Sequence, residues 1–223
     1  MHVILSIEQI AGKPRRRSGE SGPSCSGRGR IRVTLDDGES FLFPSLKAAR
    51  LGFAEGKELS EDTYTQIMQS LQSACMQRCG TLLGARDYSE CRLREKLIEA
   101  GFPDSIVEEA VGKLQKAGYL DDRRFARSYI RSHIQDRSRL RIVRDLAGKG
   151  ISETDIEEVF AEFAEEEDLE DAQRQQVMRL LEKRGFDPGE AGYEERQKTM
   201  AFLHRKGYPA DLIRRMTGGR DEY

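Results

Sequence analysis

The amino-acid sequence points to a mainly α protein: tandem three-helix repeats in an extended curved array, with a small β-rich domain at the N-terminus. Three observations carry that expectation. A helix-ending cadence occurs three times along the chain. Residues 120–151 hold a helix whose apolar face stands opposite an arginine face. Residues 1–58 follow the two-residue alternation of strands, and from Ser60 onward the period becomes helical.

Taken in order, Val3–Ile10 is rich in β-branched residues and alternates, so it reads as a strand. Lys13–Arg30, dense in Gly, Ser, Pro and Arg, reads as a lengthened hairpin connection. Its Arg15-Arg16-Arg17 run could touch a phosphate backbone, although such basic loops more often serve solubility alone. Arg30–Leu35 and Glu39–Phe43 flank Asp36-Asp37-Gly38, which has the turn chemistry of a hairpin. A short helix at Ser45–Arg50 and a turn at Glu55-Gly56-Lys57 complete the β-rich part. Ile67, Leu71 and Ala74–Met76 then form the stripe of a helix over 61–82. Helices follow over 89–100, 104–116, 122–135, 140–149 and 153–164. Val107, Ala110, Val111 and Leu114 supply one apolar stripe, and Ile156, Val159, Phe160 and Phe163 another. The acidic run Glu165–Asp171 reads as a solvated helix extension or as an acidic surface for a basic partner. Val177, Leu180 and Leu181 open a last group, with a loop over Gly185–Gly192 and helices over Arg196–Lys206 and Pro209–Thr217. The implied division is 1–58, then repeats over 59–118, 119–168 and 169–217, then a frayed tail over 218–223.

The repeated cadence is a helix, a glycine stop, a large apolar residue and a second short helix. It appears as Leu93-x3-Leu97-x3-Gly101-Phe102-x3-Ile106, as Ile142-x3-Leu146-x3-Gly150-Ile151-x4-Ile156, and as Leu203-x3-Gly207-Tyr208-x3-Leu212. Asp104 and Ser152 are candidate caps for the second helices. In the central helix, Asp121 and Asp122 suit a helix start. Phe125, Ala126, Tyr129 and Ile130 share one arc, and Arg123, Arg124, Arg127 and Arg131 share the other. Arg137, Arg139, Arg141, Arg144 and Lys149 prolong the basic run. A solvated charged face is the ordinary reading of such an arc. The continuation of the run makes these nine residues the candidate contact surface for a polyanion or a charged polymer.

Composition narrows the function classes. The chain has 223 residues, of which 34% are charged and 37% hydrophobic, with no tryptophan. That suits a thin core spread along an array. The net charge of −2 gives no global signal for nucleic acid or membrane. Locally, residues 120–150 hold nine basic side chains against four acidic ones, 151–172 hold eleven acids and no base, and 173–223 turn basic again. No stretch has the length of apolar residues a membrane span needs, and Glu8 interrupts the first apolar run, which argues against a signal peptide. Cys25, Cys75, Cys79 and Cys91 are spaced unlike a secreted disulfide framework, which implies a cytoplasmic protein. Cys75-x3-Cys79 puts two thiols on one helix face, but a metal would need two more ligands and none is suitably spaced. There is no glycine-rich phosphate loop ending in Lys-Ser/Thr and no G-x-S-x-G element. His2, His133 and His204 are isolated, and Asp121-Asp122 reads as a cap. Neither catalysis, metal nor cofactor is expected.

The motifs resemble the RecX family of regulators of the bacterial recombinase RecA. The matching residues are Arg86-x2-Ser89-x3-Leu93-x2-Lys96-Leu97, then Leu120-Asp121-Asp122-x2-Phe125-Ala126, then Arg141-Ile142-x3-Leu146-x2-Lys149-Gly150-Ile151. They cover residues 86–160 specifically and 161–216 loosely. Arg92 stands where the family commonly has an acid, and Ser138-Arg139 where it commonly has Gly-Pro. The resemblance implies a monomeric, non-enzymatic regulator that occupies the groove of the RecA–single-stranded DNA filament. It implies inhibition of recombinase, ATPase and co-protease activities, or a block of filament growth, within DNA repair and the SOS response. A second reading is an autonomous DNA-binding module with 140–149 as its recognition helix. A third is a scaffold that meets another partner through 151–172.

Overall fold

The computed structural model describes residues 2–10, 29–166 and 169–218, without the side chains of 164–166 and 169. The arginine triplet 15–17, Cys25, the centre of the acidic run and most of the 218–223 tail lie outside the described residues. Among the described residues there are four strands and ten helices, and the chain forms two compact units. The first comprises the residues up to Tyr88 with Arg92–Leu120, and the second Ser89–Cys91 with Asp121 onward.

In the first unit, β1 (His2–Ile10), β2 (Arg30–Leu35), β3 (Ser40–Pro44) and β4 (Glu58–Leu59) form an antiparallel sheet in the order β3-β2-β1-β4. The β2–β3 turn is the expected Asp36-Asp37-Gly38, with Gly38 at φ +86° and the Asp37 carboxylate accepting the Glu39 N–H at 2.9 Å. The inner sheet residues Ile4, Ile31, Val33, Leu35, Phe41 and Phe43 are buried. They share one core with Ile67, Leu71, Cys75 and Cys79 of α2 (Glu61–Leu83) and with Val107, Ala110 and Val111 of α4 (Asp104–Lys116). Each such fully buried aliphatic contributes about 1.5–3 kcal/mol, so sheet and helices stabilise each other. Between them run α1 (Ser45–Arg50) and α3 (Glu90–Glu99). The outer edge of β3 is closed by the turn after α3: Leu42 N–H donates to the Gly101 carbonyl at 2.8 Å. That pairing removes an open edge that could recruit another strand.

The second unit contains α5 (Asp122–His133), α6 (Arg139–Ala147), α7 (Glu153–Glu166), α8 (Leu169–Arg184), α9 (Tyr193–Lys206) and α10 (Ala210–Thr217). Ala126, Ile130, Ile142, Leu146, Val159 and Phe160 fill one core, and Val177, Leu181, Phe186, Leu203 and Leu212 fill another. The caps follow sequence chemistry. Asp121 accepts from Arg124 N–H at 2.9 Å, and Ser152 from Asp155 N–H at 3.1 Å. Asp104, by contrast, lies inside the first turn of α4, and the N-cap position is Pro103, which has no side-chain bond to give.

Two serines make the same joint. Ser89, fully buried, donates to the Lys149 carbonyl at 2.6 Å, and Ser138, 3% exposed, donates to the Lys206 carbonyl at 2.6 Å. Each acceptor precedes a glycine in the left-handed conformation, Gly150 at φ +82° and Gly207 at φ +87°. A Cβ on Gly150 would sit 2.3 Å from Cys91 Cβ, and one on Gly207 2.9 Å from Leu140 Cβ. Both glycines are therefore required twice, for backbone conformation and for close approach. Ser138, at the position where Gly-Pro is common, also caps α6 by accepting from Arg141 N–H at 3.3 Å.

Candidate functional site

The arginine arc of α5 is where the periodicity places it. Ala126 and Ile130 are buried, Phe125 and Tyr129 are half-buried, and Arg123, Arg124, Arg127 and Arg131 are exposed. The helix α7 changes what that arc offers. Arg123 reaches Glu158 at 2.9 Å and Glu162 at 3.1 Å, and Arg127 pairs with Glu162. Arg139 pairs with Glu157 at 2.6 Å and lies 4.8 Å over the Phe160 ring. Arg131 sits 5.6 Å over the Phe163 ring. Part of the acidic stretch 151–172 thus neutralises part of the basic stretch 120–150 within one unit. These pairs are solvent-exposed and each contributes roughly 0–1 kcal/mol, so they are open to exchange with another anion.

Arg137 is held from several sides. It bonds the Tyr129 hydroxyl and the Asp145 carboxylate, both at 2.6 Å, and Arg141 reaches Asp145 at 3.2 Å. Burial works against ionisation of Asp145, but the Arg137 hydrogen bond and the charges of Arg141 and Arg137 hold its carboxyl below the usual range. Lys149 stacks over Tyr129 at 5.3 Å. His133 donates from Nδ1 to the Tyr129 carbonyl at 2.9 Å and stacks on the Tyr129 ring, a structural role.

Between α6, α8 and α9 opens a cleft of about 550 Å³. Arg137, Arg141 and Arg144 enter it from the second helical group, and Arg179, Lys183, Arg205 and Lys206 from the third. Asp136 is the acid in its lining. The floor is polar and fixed: Gln176, 4% exposed, donates to the Ile134 and Arg137 carbonyls and accepts from the Tyr208 hydroxyl at 3.0 Å. Of the nine residues singled out in the sequence, three line this cleft. Its four cations from α8 and α9 were missed. Their signal, an i, i+4 pair on α8 and two bases in the last turn of α9, is too ordinary to stand out without the fold.

Other clusters are structural. Asp122, beyond its place in the first turn of α5, accepts the Glu90 N–H at 2.8 Å, and burial raises its carboxyl. The Cys75 and Cys79 thiols bond each other, which together with burial pushes Cys75 up. Among the described residues one trio could present ligand atoms to a metal: His2, Asp36 and Asp37. His2 Nδ1 lies 3.2 Å from Asp37 and the ring stacks on Tyr64, the geometry of a histidine–carboxylate pair. No helix is long and apolar enough to cross a membrane among the described residues.

Comparison with known proteins agrees with the repeats. Family models described as RecX first, second and third three-helix domains match residues 75–114, 121–159 and 166–216. The chain is 34% identical over 149 residues to the regulatory protein RecX of Trichlorobacter lovleyi, covering 65% of this chain and 94% of that one. It is 31% identical over 152 residues to that of Vibrio vulnificus, covering 68% and 93%. A crystal structure of regulatory protein RecX superposes with a TM-score of 0.60 at 22% identity, covering 99% of this chain and all 100% of that one. One of RecX from Lactobacillus salivarius gives 0.58 at 17%, covering 67% and 96%. The three matched domains span the helices that hold the charged surfaces above, and the chain belongs to the RecX family of regulatory proteins.

Proposed function

We propose that this chain is a non-catalytic, monomeric cytoplasmic regulator that binds the RecA–single-stranded DNA filament and restrains its recombinase, ATPase and co-protease activities. The helical repeats act as units over 59–118, 119–168 and 169–217, each adding a modest contact to one binding surface. The observation that carries the reading is the second unit: two helical groups joined by a serine–carbonyl bond, both turning guanidinium and ammonium groups to solvent. Several weak contacts on linked modules reinforce one another, which suits a repeating polymer as partner. The mixed character of the surface, with paired arginines on α5 and α7 acids beside them, suits a partner offering protein carboxylates and bases as well as phosphates.

The test is inhibition of single-stranded-DNA-dependent RecA ATPase by the Arg124→Glu/Arg127→Glu/Arg131→Glu variant. Inhibition is expected to fall at least tenfold in potency with the helical circular dichroism unchanged. Unaltered potency removes the α5 arc from the interface. A second reading, an autonomous DNA-binding module, is favoured by the cation-lined cleft at α6. Tight, salt-sensitive binding to bare DNA with no effect on RecA would select it.

A further inference from the structure

We propose that the cleft between α6, α8 and α9 is a binding site for closely spaced phosphate groups, and that its ligand is the backbone of a single nucleic-acid strand, gripped without reading the bases. The inference adds to the reading above a contact point that the filament proposal does not specify. It rests on that reading only for its biological occasion, because the cleft would bind a bare strand with no recombinase present.

The first ground is unneutralised charge. The cleft gathers seven cations against Asp136. Arg137 and Arg141 share Asp145, but Arg144, Arg179, Lys183 and Arg205 have no carboxylate partner among the described residues. Four such cations converging from three helices repel one another, and an arrangement of that kind is stabilised by an anion placed among them. On α5, by contrast, the acids of α7 already occupy that place for Arg123 and Arg127.

The second ground is a built floor. Gln176 and Ser138 are buried polar side chains whose bonds fix the α6 start, α8 and the turn after α9 relative to one another. Cations on a fixed frame lose less side-chain freedom on binding than cations on a loop.

The third ground is what the cleft lacks. The aromatic residue in its lining is Tyr208, 6% exposed with its hydroxyl committed to Gln176. A base has no exposed ring to stack on, so stacking, the usual sequence-tolerant source of affinity for single strands, is not available. The remaining chemistry is phosphate to guanidinium and ammonium. Shape then selects the strand: a concave site of about 550 Å³ admits a chain that can bend into it, whereas a duplex offers its phosphates on a convex rod and reaches the rim alone.

The experiment is fluorescence anisotropy with labelled dT20 and dA20, single-stranded and as a duplex, over a salt series, using the full chain alone. Arg179→Gln/Lys183→Gln/Arg205→Gln should weaken single-strand binding at least tenfold at low salt. It should flatten the slope of log affinity against log salt by about 2, or ~0.7 per lost contact. Wild-type protein should bind dT20 and dA20 alike and the duplex more weakly. Lys198→Gln/Arg214→Gln, which removes two exposed cations that pair within their own helices and do not line the cleft, serves as the comparison and should change affinity less than threefold. The substituted side chains are exposed, and unchanged circular dichroism and Tm verify folding. An unchanged slope in the triple variant, an equal loss in the comparison variant, or a strong preference for one base overturns the proposal. So does micromolar binding of a free nucleoside triphosphate that displaces the strand, which would make the cleft a nucleotide site. Loss of RecA inhibition with bare-strand binding intact would leave the filament reading standing and remove the cleft from strand binding.

Discussion

The α5 arc gathers four arginines and the α6–α8–α9 cleft seven arginines and lysines, and the two differ in more than number, because they present different electrostatic surfaces. On α5, the neighbouring α7 carries Glu158 and Glu162 to Arg123 and Arg127. In the cleft, Arg144, Arg179, Lys183 and Arg205 face open space with no such partner among the described residues. Local charge density therefore does not measure what a surface offers a ligand. The decisive quantity is which acids the fold brings within reach, and these lie 35 residues away in sequence for Arg127 and Glu162.

That contrast can be broken most sharply at Gln176. Gln176→Leu leaves the Ile134 and Arg137 carbonyls and the Tyr208 hydroxyl without their partner, at about 1–3 kcal/mol per buried group. A Tm drop of at least about 4 °C is expected for a chain of this size. Strand binding should fall with it, since the cleft loses its frame, while the α5–α7 ion pairs keep their place. Retention of full strand affinity would show that the frame does not matter.

A smaller effect, in the opposite direction, should come from the acids. Glu158→Gln/Glu162→Gln frees Arg123 and Arg127, so α5 should come to resemble the cleft. Single-strand affinity should rise several-fold and the salt slope should steepen by about 1–1.5. Stability should shift by less than about 1 kcal/mol per lost pair. No gain in affinity would mean that neutralisation is not what separates the two surfaces.

The smallest effect concerns Asp145. Its folded-state carboxyl lies below the ordinary value. The pairing with Arg137 and Arg141 therefore contributes stability above the unfolded value of about 3.9 and loses it as pH falls through the lower folded value. Chemical denaturation should show a constant, pH-independent contribution from this group between neutral pH and the ordinary carboxylate range, and a decline below it. At neutral pH, Asp145→Asn should raise strand affinity no more than about threefold by releasing two guanidinium groups that already line the cleft.

Much of the architecture could be read from local chemistry. The α5 faces follow from spacing at helical period, the β2–β3 turn from Asp36-Asp37-Gly38, and the helix ends from Gly101, Gly150 and Gly207. The strand β4 could not, because two residues become a strand only by pairing with His2 and Val3. The helix extension expected of the acidic run is present on both sides of residues 167–168, to Glu166 in α7 and again from Leu169 in α8. Asp122 looked like a first-turn acid, and its bond to Glu90 joins residues 32 apart. The cleft lay beyond local reading for the same reason: three helices from two sequence-distant groups make it, and no window of sequence contains them together.

The paired serine joints have one more implication. Ser89 to the Lys149 carbonyl and Ser138 to the Lys206 carbonyl are the same fastening used twice. The plug is a hydroxyl on the preceding segment, and the socket is a main-chain oxygen just before a glycine. Since the socket is backbone, it survives almost any drift in side chains. A stretch of gene encoding one such module, duplicated in frame, would arrive carrying both halves of its own coupling, so chains of this kind can grow or shrink by whole modules without inventing a new interface.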